Sequence, residues 1–140
     1  MILPHSSPAA ARWRLRRARA LATLVLLAAA LPTAHAAAPD ARIACTPAGA
    51  AYAYDCAIDL ADPHTRAPVD GARFTVTADM PSMPMAHNIT PVDAMPDGQS
   101  GRYRARLALE MDGVWLVKLT FSAPVRDRVL KRVRFEGSAG

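Results

Sequence analysis

Beyond residue 40 the chain alternates. From Tyr52 to Leu60 the even positions are Tyr52, Tyr54, Cys56, Ile58 and Leu60, and the odd positions are small or acidic. Phe74, Val76 and Ala78 alternate with Arg73, Thr75 and Thr77. Tyr103, Ala105, Leu107 and Leu109 alternate with Arg102, Arg104 and Arg106. Trp115, Val117, Leu119 and Phe121 continue the pattern, and Val129, Val133 and Phe135 stand against Arg128, Arg132 and Arg134. A period of two puts successive side chains on opposite faces, so each run predicts a half-buried strand. No stretch beyond residue 36 shows a helical period. Six or seven short strands separated by Pro- and Gly-bearing turns predict an all-β sandwich of two antiparallel sheets.

Two connections carry more detail. Ile43 and Cys45 share one face of a first strand, and Thr46-Pro47-Ala48-Gly49 turns the chain back. At Met111-Asp112-Gly113, a two-residue Asp-Gly turn would pair Leu109 with Leu116 and set Trp115 on the wrong face. A three-residue loop with Gly113 left-handed pairs Leu109 with Trp115 and Leu107 with Val117. If the chain crosses between sheets here, that pairing fails but the inward faces stand.

The amino end reads differently. Arg12, Arg14, Arg16, Arg17 and Arg19 form a basic start without an acidic residue. An apolar run from Leu21 to Leu31 follows, then Pro32 and the small-x-small triplet Ala34-His35-Ala36. This is the order of a secretory signal, and its apolar core is shorter than the roughly 20 residues of a membrane-spanning helix. Residues 1–36 are therefore expected to be a signal peptide and 37–140 the mature domain. An uncleaved anchor is the alternative if the alanines out to Ala38 extend the apolar run.

Export changes the meaning of the charge. The chain has 17 lysines and arginines against 12 acidic residues. Five of those arginines lie in residues 1–36 and no acid does, so the mature part is balanced at twelve of each. The basic character belongs to the export signal and does not point to nucleic acid. The stripe Arg102, Arg104 and Arg106 reads as a solvated face, with a docking surface as the alternative. Residues 37–140 suffice for one domain with a single core. The only cysteines, Cys45 and Cys56, both fall there, and in an oxidising compartment such a pair is expected to form a disulfide. A thiol metal site is the weaker reading, because the spacing fits no familiar metal motif.

One segment departs from its surroundings: Asp79-Met80-Pro81-Ser82-Met83-Pro84-Met85-Ala86-His87. Pro81 and Pro84 exclude helix and are expected to hold the chain extended. In an extended chain residues two apart share a side, so Met83, Met85 and His87 line one face, with Cα atoms roughly 7 Å apart at strand rise. Thioether sulfur is soft and neutral and suits Cu(I); imidazole also accepts Cu(II). Thioethers cannot form disulfides, so they stay usable donors where thiols oxidise. The expected metal set is Met83, Met85 and His87, with Met80 auxiliary. Zinc and calcium would want other donors, which Asp79 and Asp93 alone do not supply. The alternative is packing, since methionine fills gaps in cores; Met95 and Met111 are read that way, with approach of Met95 to the set from its proline-flanked loop as the alternative. His64 lies in a turn with no partner nearby in sequence.

The run Met80 to His87, Gly101-x-Tyr103, Leu107-x-Leu109 and Gly113-x-Trp115-x-Val117-x-Leu119 resemble the YtkA-like and FixH-like periplasmic domains over roughly residues 66–135. The resemblance implies a small immunoglobulin-like β-sandwich associated with copper handling or with assembly of haem–copper respiratory oxidases. FixH proteins usually keep an amino-terminal membrane anchor, so the YtkA-like comparison suits this chain better. Two functions follow as expectations. The first is a periplasmic domain that binds or delivers copper, with a periplasmic or inner-membrane protein as its partner. The second is a metal-free accessory module of a membrane complex, serving respiratory oxidase assembly or metal efflux. Catalysis is not expected: there is no Gly-x-Ser-x-Gly elbow, phosphate loop or free cysteine nucleophile, and only His64 and His87 remain in the mature chain as bases.

Overall fold

Strand β1 (Asp40–Pro47) turns through residues 48–52 into β2 (Ala53–Ala61), and the two pair antiparallel with Cys45 opposite Cys56. The structure is a computed structural model that describes residues 37–84 and 89–137. The expected signal segment 1–36, and Met85 and His87, lie outside the described residues. After β2 come β3 (Arg73–Asp79), the two-residue strands β4 (Val92–Asp93) and β5 (Met95–Pro96), then β6 (Arg102–Ala108), β7 (Gly113–Ala123) and β8 (Asp127–Phe135). Among the described residues there is no helix, and so none long and apolar enough to cross a membrane.

The strands form two four-stranded sheets, in the orders β1-β2-β6-β5 and β4-β3-β7-β8. Lettered along the chain, these are A-B-E-D against C′-C-F-G, the connectivity of an immunoglobulin-like sandwich. Six full strands match the alternating runs; β4 and β5 are the short steps by which the chain passes from one sheet to the other. The core lies between the sheets. Tyr54, Cys56, Ile58, Leu60, Tyr103, Ala105 and Leu107 face it from one side, and Phe74, Val76, Ala78, Trp115, Val117, Leu119 and Phe121 from the other, all buried. Fully burying each of the larger side chains stabilises the fold by roughly 1.5–3 kcal/mol. Cys45 and Cys56 form a disulfide within one sheet, unlike the inter-sheet bridge of antibody domains.

Two expectations fail locally. The chain from Leu109 to Trp115 crosses between the sheets: β6 pairs with β2 and β5, and β7 pairs with β3 and β8. Leu109 is therefore not the hairpin partner of Trp115, nor Leu107 of Val117, although all four are buried. Alternation fixes which face is apolar and leaves open which strand is the neighbour. Gly113 does take a positive φ of 144°. Tyr52 stands outside β2, in the turn, with φ 56°, because the chain must reverse before the ladder starts at Ala53.

The outer face of the first sheet carries the arginine stripe. Arg102 donates to both carboxylate oxygens of Asp59 (2.7 and 3.3 Å), and Arg106 does the same to Asp55 (2.8 and 3.0 Å). Each pair sits directly across β2 and β6, leaving Arg104 exposed between them.

Candidate metal centre

The methionine segment begins where β3 stops. Asp79 is the last paired residue, opposite Leu116, and its carboxylate accepts from Lys118 Nζ at 3.0 Å. Met80 keeps the inward parity of Val76 and Ala78 and is only 5% exposed. The chain then turns sharply: Met83 N–H donates to the Met80 carbonyl at 3.0 Å, closing a β-turn with Pro81 at its second position. Proline's fixed φ suits that position. The extended run expected over 80–83 is thus a turn, and it separates Met80 from Met83. Met83 projects from it, 39% exposed. Ile89 N–H reaches back to the Ala78 carbonyl at 3.5 Å, so Ile89 lies at the end of β3 that the chain leaves at Met80.

A second loop meets this turn. Residues 109–112, which join β6 to β7, lie at the same end of the sandwich. Together the two segments line a surface recess of about 550 Å³ walled by Met80, Pro81, Met111, Asp112, Gly113 and Arg132. The Met80 methyl carbon lies 3.4 Å from where a Cβ on Gly113 would stand. The 109–112 loop is anchored from the core: the Trp115 indole N–H donates to the Met111 carbonyl at 3.2 Å, and the Tyr54 hydroxyl donates to the Asp112 carboxylate. Two neutral, soft sulfur side chains, Met80 and Met111, thus border one solvent-open hollow, with one carboxylate and one guanidinium beside it. Met111, read from the sequence as a packing residue, is half-buried against the core and also lines the hollow. Its separation of some thirty residues from Met80 hid that juxtaposition. Met95, more than half exposed, lines other parts of the surface.

Harder donor sets are not assembled here: among the described residues, no three His, Cys, Asp or Glu side chains converge. His64 is exposed in a turn whose backbone is held by Asp62, which accepts from His64 N–H at 2.9 Å and Thr65 N–H at 2.7 Å. That turn follows the far end of β2, about 25 Å along the strand from the recess. Asp93 lies in β4, opposite Thr75.

No curated protein and no solved structure matches the chain. The family model described as YtkA-like matches residues 40–120, from the start of β1 to Thr120 of β7. Within that span fall the Gly101-x-Tyr103 corner, the Gly113-x-Trp115 element that anchors the recess loop, and the methionine turn itself. With more than half its length covered and a two-sheet sandwich beneath it, the chain belongs to the YtkA-like family.

Proposed function

We propose that this domain binds or delivers copper in the periplasm, taking Cu(I) on Met83, Met85 and His87 with Met80 as an auxiliary donor. It acts as a binding protein and not as an enzyme. The observation that supports the reading is Met83: a thioether side chain on a proline turn, 39% exposed and so open to solvent. A soft, neutral sulfur in that position is available to a Cu(I) ion arriving from solvent. The Cys45–Cys56 disulfide supports an oxidising compartment, and the signal-like start of the chain supports export across the inner membrane.

The burial of Met80 favours the rival reading, a metal-free accessory module in which the methionines merely pack. A Cu(I) competition titration separates the two. The parent protein should hold one Cu(I) against a chromophoric chelator. A Met83→Leu, Met85→Leu, His87→Ala variant should lose affinity by about 100-fold or more, as removal of several donors requires. Equal affinity in parent and variant ends the proposal and leaves the metal-free module.

A further inference from the structure

Two features lie outside that proposal, the arginine-rich edge strand β8 and the exposed Arg104 between its two paired neighbours, and a third, the recess that Met80 shares with Met111, extends it. The recess carries an inference furthest. We infer that it is a soft-metal pocket in which Met111, together with Met80, supplies thioether sulfur to Cu(I). The inference rests on the copper reading and adds to it a ligand from a different loop.

Met80 and Met111 come from separate connections, yet both line one hollow that opens to solvent. Methionine has three rotatable bonds beyond its Cα, so its sulfur can swing from wall to centre without moving the backbone. The backbone around each is fixed. Met80 is held by the end of β3 and by the turn bond from Met83, and Met111 by the Trp115 indole on its carbonyl. Gly113 borders the Met80 methyl at that wall: a Cβ there would stand 3.4 Å from it. Thioethers bring no charge to a monovalent cation. Asp112, oriented by the Tyr54 hydroxyl, supplies a negative charge beside the hollow that offsets Arg132. The exposed Met83 one turn away gives an entering ion a first sulfur at the surface, and the Met80–Met111 pair gives it a more sheltered second stage.

The test reads each methionine separately. The full chain has six methionines, and labelling their methyl carbons with ¹³C gives each its own NMR signal. The protein is titrated with Ag(I), a redox-inert stand-in for Cu(I), and then with Cu(I) itself. The Met80 and Met111 signals should shift together and saturate at one equivalent, while Met95 stays fixed as an internal reference. Met111→Leu, close in volume, should keep the fold and weaken Cu(I) binding by about tenfold or more. If the Met83 and Met85 signals move while Met111 does not, or if Met111→Leu binds like the parent, Met111 is no ligand and the copper reading survives. If no methionine signal moves, both fall together.

Discussion

Gly101 sits where backbone and neighbour come too close for any side chain. Its φ is 70°, and a Cβ there would stand 2.7 Å from Pro68 Cβ and 2.8 Å from the Leu60 carbonyl oxygen. The same residue accepts the Leu60 N–H at 2.8 Å and donates its own N–H to Asp70 at 2.7 Å. Two residues on, the Tyr103 hydroxyl donates to the Val69 carbonyl and accepts from Ala72 N–H, both at 2.9 Å. The Gly-x-Tyr pair therefore pins the 67–72 segment to the start of β6. Gly101→Ala adds both a left-handed penalty and a collision with backbone, and should destabilise the protein by about 2–4 kcal/mol in urea unfolding. A loss below about 0.5 kcal/mol would mean that the segment simply shifts aside. In the sequence the glycine shows only as part of the Gly101-x-Tyr103 element of the family resemblance. The neighbour that makes it obligatory comes from 33 residues away, where no local pattern points to it.

Asp70 also belongs to a set of surface carboxylates with a shared property. The Gly101 N–H and the Ser100 hydroxyl hold Asp70 below its ordinary pKa; the Thr65 and His64 N–H groups do so for Asp62, and the Arg106 and Arg102 guanidinium groups for Asp55 and Asp59. A lowered folded-state pKa means that the unfolded chain binds protons first as pH falls. The stability these groups contribute is therefore complete above their unfolded value, near pH 4, and is lost as pH drops through that value toward the folded one. Urea midpoints should be flat from about pH 7 to pH 5 and fall below about pH 4. Asp70→Asn should lower the midpoint at neutral pH and flatten the acid limb. An unchanged acid limb would show that the Gly101 and Ser100 contacts contribute nothing to folding.

At the scale of elements, the β1–β2 hairpin is closed twice, by its ladder and by its disulfide. The bridge encloses a short loop, Cys45 to Cys56, eleven residues apart. In the chain-entropy view, closing so short a loop stabilises the fold by about 3 kcal/mol. Reduction should lower the unfolding free energy by about that amount without changing the sheet order, because β2 remains paired with β6 on its other edge. A reduced protein equal in stability to the oxidised one would make the bridge a passenger. The elements themselves were legible: every inward residue of the alternating runs from Tyr54 to Phe121 is buried except within turns. What alternation could not reveal is pairing. A run of period two looks the same whether the next strand lies beside it or across the core, so Leu109 and Trp115 read as hairpin partners when they belong to opposite sheets. Proline was ambiguous in a similar way. Pro81 forbids helix, as read, but its fixed φ serves a turn as well as an extended run, and the bond from Met83 to Met80 selects the turn. The methionine-rich segment stands out in the sequence by residue type and the recess does not, because Met111 reaches it only through the crossover.

For the molecule as a whole, the family match stops at Thr120 while the sandwich continues. Strand β8 pairs with β7 over nine positions, from Gly113–Phe135 to Phe121–Asp127, and completes one sheet. Its last residue closes the core at the recess end. Phe135 is buried and packs edge-on against Tyr54, ring centroids 4.8 Å apart. Tyr54 in turn orients Asp112 at the rim, so Phe135 supports both the core and the loop beside the candidate metal pocket. Phe135→Ala leaves a cavity under Tyr54 and should destabilise the domain by about 3–5 kcal/mol. Phe135→Leu keeps most of the volume, and its loss should be smaller. If the copper reading holds, Phe135→Ala should also weaken Cu(I) binding where the folded protein is still populated, since Asp112 would no longer be held in place. Urea unfolding followed by Cu(I) titration in the same buffer checks both. A Phe135→Ala protein as stable as the parent would place β8 outside the cooperative core and confine the working domain to the residues the family match covers.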